Sequence, residues 1–254
     1  MLKYGLKGSD FVAGHSKWAN IKRKKAAQDT RRGQAFTKIV RQITVAVKEG
    51  GPDPESNLKL RLAIDKAKAI NMPNDNIERS ISRGIGGLDG DNYEEIIYEG
   101  YGPCGVAILL EVVTDNRNRT ASEIRHRLSK AGGNLGETGC VAWIFEQKGL
   151  LVIEQNDAID EDEVMMIALE AGAEDVETEE DVLKIITEPT RFPEVKTAFV
   201  EAGYTEFLID EVSRIPKNSV IVSAEDEEKI EELIDVLEEL DDVQQVYTNY
   251  ESSD

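Results

Sequence analysis

The chain has 254 residues, 40% of them hydrophobic, and a formal net charge of −20. That length exceeds one small core and calls for two or three domains, while no apolar run approaches the ~18 residues of a bilayer span. Cys104 and Cys140 are the only cysteines, too few and too scattered for a disulfide framework or a zinc site, and they suit a reducing cytoplasm.

The charge is unevenly spread. Residues 12–87 hold 16 Lys/Arg against 7 Asp/Glu, a net of +9, whereas residues 88–254 hold 12 against 42, a net of −30. The first eleven residues, MLKYGLKGSDF, lack the apolar centre of a secretory signal and read as an added extension or an upstream start. Ser16–Arg41 is the most basic stretch, with nine cations: Lys17, Lys22, Arg23, Lys24, Lys25, Arg31, Arg32, Lys38 and Arg41. Asp29 is its one acidic residue. Clustered cations of this kind are the footprint of a polyanion site, because each neutralised phosphate releases a condensed counterion. The plainer reading is a solvated helix face. Set in so acidic a chain, the stretch favours the first. The acidic remainder would repel stray nucleic acid or dock a basic protein.

Phe36, Ile39, Val40, Ile43 and Val47 recur at helical spacing and predict a helix over 30–48, with Thr30 as cap and Gly50-Gly51 as its end. The link GGPDPESN, with Pro52 and Pro54, stays extended. Ser56 or Asn57 caps a second helix with the stripe Leu60, Ala63, Ile64, Ala67 and Ile70. Pro73 and Asn74 start a third, which buries Ile77 and Ile81 and stops at Gly84. The link is too long for the turn of a helix-turn-helix.

From Tyr93 onward strands alternate with helices. Gly105–Val113 reads as a strand buried on both faces, and Thr120-Ala-Ser-Glu123 as a capping box opening a helix to Ala131. Val141–Gln147 and Leu150–Gln155 read as a hairpin about Lys148-Gly149. Helices are expected at Glu161–Ala171 and Pro193–Ala202, with strands at Leu183–Thr187 and Thr205–Ser213. A helix over Glu225–Leu240, capped by Ser223, precedes a last strand, Val243–Tyr250. Three helices end alike, in Ala131-Gly132, Ala171-Gly172 and Ala202-Gly203, and each is followed by a strand. That suggests a repeated β-α-β unit of ferredoxin-like type.

Six motifs in order, AGHSKWANIK with KKAAQD and RGQAFTK, GGPDPESN, MPNDNIERSI, YEGYGPCGVA, TDNRNRT and GGNLGETGCVAW, resemble the YebC/PmpR family, whose mitochondrial relatives activate translation of cytochrome oxidase. Many members carry a histidine where this chain has Arg23, so any role of that histidine is missing here. The resemblance implies an α+β, multidomain fold: an N-terminal three-helix module followed by two ferredoxin-like α+β domains, one inserted in the other. The expected limits are 12–87 for the basic helical domain, 88–138 plus 205–254 for the outer α+β domain and 139–204 for the inserted one. It also implies a cytoplasmic, non-enzymatic regulator. DNA-binding control of transcription is the first form of that role, and a ribosome-associated, RNA-binding factor that relieves stalled translation is the second.

Individual residues divide between two uses. Trp18 either stacks on bases or pins the basic arm to the helical module, and the second use fits better in an arm with few other apolar anchors. Arg117 and Arg119 stand at a helix start, where cations oppose the dipole. They either pair with nearby carboxylates or, with Arg125 and its neighbours His126 and Arg127, form a second phosphate patch. Gly132, Gly133, Gly136 and Gly139 follow a helix instead of opening one, so they are not a nucleotide loop and suit a crossing between domains. His15 and His126, the only histidines, sit in no metal-ligand or nucleophile pattern. No catalytic residue, metal or cofactor is expected, and neither is a membrane partner.

Overall fold

The computed structural model describes residues 32–86, 92–156, 159–179 and 181–253. Helix α1 (Arg32–Gly50), α2 (Leu58–Ala69) and α3 (Asn74–Gly86) form the N-terminal module. Its core is the expected stripe: Ile39, Ile43, Ala46 and Val47 of α1 meet Leu60, Ala63 and Ala67 of α2, Met72 and Ile77. Asn57 shapes the link between the first two helices. Its carbonyl oxygen accepts from Leu60 N at 3.1 Å, capping α2, and its amide donates to Ala46 O and Gly51 O at 2.7 and 2.8 Å. Gly84 does not stop the third helix. It lies where α3 crosses α1, and a Cβ there would sit 2.6 Å from Val47 Cβ, so glycine permits the close crossing and the helix runs on to Gly86.

The outer α+β domain contains β1 (Glu94–Tyr101), β2 (Ala107–Thr114), α4 (Arg117–Lys130) and β3 (Asn134–Leu135), and after the insertion α7 (Ala224–Glu238) and β9 (Val243–Thr248). Its sheet runs β3-β1-β2-β9, antiparallel throughout. Ile108, Leu110 and Val112 of β2 face Ile124 and Leu128 of α4 and Leu233 and Leu237 of α7. Ala107 and Leu109 on the other face are covered by Val141, Ile144 and Phe145. Between them these contacts bury β2 on both sides, as expected. A short parallel pair, β8 (Val220–Val222) with β10 (Tyr250–Ser252), flanks this domain.

The inserted domain runs β4 (Phe145–Glu154), α5 (Glu161–Ala171), β5 (Asp175–Glu179), β6 (Val182–Thr187), α6 (Phe192–Glu201) and β7 (Ile209–Pro216). Its sheet order, β5-β6-β4-β7, is that of a ferredoxin-like β-α-β-β-α-β unit. Leu151, Ile153, Leu183 and Ile185 pack on Val164, Ala168, Phe192, Val195 and Phe199. The outer sheet is strung differently: its two inner strands, β1 and β2, are consecutive in the chain, whereas the inner strands of the inserted sheet, β4 and β6, are separated by α5 and β5. Gly132, Gly172 and Gly203 each take positive φ after a helix, as the repeated endings predict.

Several boundaries differ from expectation. The hairpin about Lys148-Gly149 is one continuous strand, because β4 pairs on both edges and Gly149 lies in register with Thr187 and Val212. β7 pairs with β4, so residues 209–216 belong to the inserted sheet, not to the outer domain. Val141 and Ile144, just before β4, pack on the outer sheet. Thr120 is not a cap: α4 begins at Arg117, capped by Asn116, whose side chain accepts from Arg119 N. β1, β3, β5 and β8 are strands beyond the expected set.

Candidate nucleic-acid interface

The nine expected cations divide at the edge of the described region. The side chains of Lys17, Lys22, Arg23, Lys24, Lys25, Arg31 and Arg32 lie outside the described residues, as do His15, Trp18, the Thr30 cap and the extension 1–11. Lys38 and Arg41 are described, and both face inward. Lys38 Nζ donates to Glu238 O at 2.7 Å, and Arg41 donates to Asp241 O at 2.8 Å and to Asp242 Oδ1 at 2.6 Å. The Arg41 guanidinium also lies 5.2 Å from the Tyr93 ring centroid. The carbonyls at the end of α7 have no intrahelical donors, and cations on α1 supply them while meeting the negative end of the helix dipole. These two residues are therefore ties between the helical module and the outer domain.

Arg41 ends on a polar hub. Asp242, at 7% exposure, accepts from Arg119 (2.9 Å), Thr120 Oγ1 (2.6 Å) and Thr114 Oγ1 (3.2 Å) besides Arg41. Burial pushes its carboxyl pKa upward, but the hydrogen bonds from Thr120, Arg119 and Arg41 outweigh that and hold it below the ordinary aspartate value. Thr120 thus serves the hub and not a helix cap. A single carboxylate bridges α1, α4 and the start of β9.

The second expected patch also divides. Arg117 pairs with Glu94 at 2.7 Å, and Arg119 pairs with Asp115 at 2.8 Å as well as with Asp242. The carboxylate-pairing use holds for both. Arg127 donates to Val236 O at 2.8 Å, tying α4 to α7. Arg125, His126 and Lys130 are exposed, and their side chains make no hydrogen bond or ion pair with another described residue. His126 and Lys130 are four apart, one turn along the outward face of α4. Lys130 lies outside the expected set of cations, although its spacing from His126 puts it on the same face.

Two further arrangements fix the body on which this face sits. Glu99, at 3% exposure on β1, accepts from Gly139 N, Val141 N and Ala142 N at 2.6, 2.8 and 2.7 Å. Burial raises its pKa less than these three donors lower it. The glycine-rich crossing is therefore held by a buried carboxylate. Arg214 of β7 pairs with Glu111 of β2 at 2.7 Å, and Tyr247 donates to the same carboxylate at 3.2 Å, so one carboxylate links the two sheets. Among the described residues no group of His, Cys, Asp and Glu could hold a metal ion, and no helix is long and apolar enough to cross a membrane.

Comparison with known proteins matches this architecture over nearly its whole length. The family model for the TACO1/YebC N-terminal domain matches residues 16–87, and that for the TACO1/YebC second and third domain matches residues 93–250. A "Probable transcriptional regulatory protein" of Halothermothrix orenii is 56% identical, covering 96% of this chain and 96% of its own length. One of the same description from Thermoanaerobacter pseudethanolicus is 54% identical, covering 96% of this chain and 98% of its own. The crystal structure of a conserved hypothetical protein from Aquifex aeolicus superposes with a TM-score of 0.81 at 46% identity, over 94% of this chain and 98% of that one. By sequence and by fold, the chain belongs to the TACO1/YebC family.

Proposed function

We propose that the chain is a non-enzymatic regulator of gene expression that binds DNA through its basic N-terminal segment. The observation that carries this is the segregation of charge: +9 over residues 12–87 against −30 beyond. With Lys38 and Arg41 bound to the outer domain, the phosphate-contacting set contracts to Lys17, Lys22, Arg23, Lys24, Lys25, Arg31 and Arg32. Arg125 and Lys130 on α4 supply a smaller second contact, without Arg117 and Arg119. The names of the relatives, "Probable transcriptional regulatory protein", describe regulators of transcription and support the DNA reading over ribosomal RNA.

The test is a salt titration of the full chain on duplex DNA and on structured ribosomal RNA, with gradient sedimentation of lysate before and after RNase. Consecutive cations on a helix spread around its axis, so the log K–log salt slope should report about 3–5 phosphate contacts. Replacing Lys24 and Lys25 with alanine should weaken binding alike on all DNA sequences and flatten the slope by about one or two units. RNase-sensitive sedimentation with ribosomes, together with tighter binding to RNA, would replace the transcriptional reading with the translational one.

A further inference from the structure

Helix α5 has two apolar faces and needs only one for its own domain. Val164 and Ala168 point into the inserted core, with Ile167 and Ala171 beside them. On the opposite side Met165, Met166 and Leu169 are 51%, 62% and 77% exposed. Met165 and Leu169 are four apart and Met166 and Leu169 three apart, so the three side chains form one contiguous patch. A helix apolar all round is normally buried on all sides. Scattered exposed apolar residues are ordinary, but three neighbours on an 11-residue helix are not. The corresponding outward face of α4 carries Ser122, Arg125, His126, Ser129 and Lys130 instead, so the patch does not come with the fold.

The charge around the patch selects its partner. Glu161 and Asp162 precede Met165 and Met166 by one turn, and Glu163 and Glu170 border the other edge. All four are exposed, and α5 contains no Lys, Arg or His. Arg191 holds only the C-terminal end of the helix, donating to Ala171 O at 3.1 Å. A second copy of this chain would bring the same carboxylates face to face across a two-fold contact, and an anionic lipid surface would be repelled. Flexible methionines suit a surface that receives apolar side chains from another helix.

We propose that the outward face of α5 docks a basic amphipathic helix of another protein. The apolar stripe of that helix covers Met165, Met166 and Leu169, and its lysines and arginines meet Glu161, Asp162, Glu163 and Glu170. The proposal is independent of the nucleic-acid reading, because it uses the inserted domain and leaves the basic segment free.

The experiment uses the full chain with methionine methyl groups labelled for NMR. The probe is a 14-residue peptide (about four turns of helix) of leucine and lysine at amphipathic spacing. A peptide of the same composition, with its leucines spread around the helix, is the control. The Met165 and Met166 methyl signals should shift saturably with the first peptide and not with the control, while the buried Met72 stays unmoved. Leu169→Glu should weaken binding at least tenfold. Leu169 is largely exposed, so the fold survives the change, as an unaltered denaturant transition of the inserted domain would verify. Glu163→Lys with Glu170→Lys should weaken it severalfold. Equal binding of both peptides, unmoved Met165 and Met166 signals, or tighter binding by the lysine variant would overturn the proposal. So would signals that shift on concentrating the protein alone as sedimentation reports a dimer, since the occupant would then be a second copy.

Discussion

The two α+β domains each lay two helices on a four-stranded antiparallel sheet and differ in what holds those helices. In the outer domain α4 and α7 are fixed partly by polar groups: Asp242 takes Arg119 and Thr120 from α4's first turn, and Arg127 binds the end of α7. The N-terminal module is tied to the same spot through Lys38 and Arg41. In the inserted domain α5 and α6 rest on an apolar core, and the outward face of α5 is apolar as well. One scaffold thus serves two duties. Where a second module must be held at a set angle, directional hydrogen bonds and ion pairs are used. Where the helices lie on their sheet, the apolar core is supplemented by few polar ties, Arg191 to Ala171 O, Lys196 to Asp210 and Tyr204 to Glu163, and the outward face of α5 is left to other demands.

The largest effect is expected where packing acts alone. Phe199 is fully buried, and its ring meets Tyr204 edge-on with centroids 5.8 Å apart. Phe199→Ala should cost about 3–5 kcal/mol, the usual result of truncating a buried aromatic side chain. Because the inserted domain has its own core, denaturant should then reveal an early transition for that domain and leave the main transition near its wild-type midpoint. A single shared transition shifted as a whole would mean that the two domains fold as one unit.

The hub should respond less strongly and in a pH-dependent way. Asp242→Asn removes the charge that Arg41 and Arg119 share, and breaking a largely buried pair costs about 3–5 kcal/mol at most. Arg119 is 44% exposed and can turn to water, so about 2–3 kcal/mol is expected here. The folded pKa of Asp242 lies below its ordinary value of 3.8, so the carboxylate stabilises the fold fully above that value. The contribution is lost as pH falls through the lower, folded pKa. Wild type and variant should therefore differ by a constant amount from pH 7 down to about 4, and converge below that. A difference that instead grows as the pH falls through 4 would mean that the Asp242 pKa is raised.

The same contrast explains how much of the molecule was legible in the sequence. Apolar periodicity is local, so the stripes of α1 and α2, the buried β2 and the three Gly-ended helices follow from spacing alone. Thr120 has the spacing of a capping box, but its hydroxyl serves Asp242, 122 residues further along the chain. No local pattern reports a bond of that length. Lys38 and Arg41 fall in the same basic run as the other seven cations, and charge density in sequence cannot distinguish a cation facing solvent from one bound beside the end of a distant helix. The hairpin at Lys148-Gly149 failed because a lysine-glycine pair resembles a turn until both of its edges find partner strands. The pairing of Arg117 and Arg119 with carboxylates was one of two uses in view, and the choice between them needed Glu94, Asp115 and Asp242 in place.

The smallest effect on stability should come from the outward face of α4, where Arg125 and Lys130 are exposed. The side chains of Arg125 and Lys130 make no hydrogen bond or ion pair with another described residue, so Arg125→Ala with Lys130→Ala should change stability by no more than about 0.5 kcal/mol. Their effect should appear in nucleic-acid binding. Each phosphate contact contributes about 0.9 to the log K–log salt slope on duplex DNA, so losing one or two flattens the slope by roughly one or two units. Arg117→Ala with Arg119→Ala should do the reverse. Those guanidiniums are paired with Glu94, Asp115 and Asp242, so removing them should lower stability and leave the slope nearly unchanged. Measuring both double variants in one salt series separates the cations that meet phosphate from those that hold the domains together. If the slope changes only for Arg117 and Arg119, those ion pairs open on binding, and the second contact lies at the hub and not on the outward face of α4.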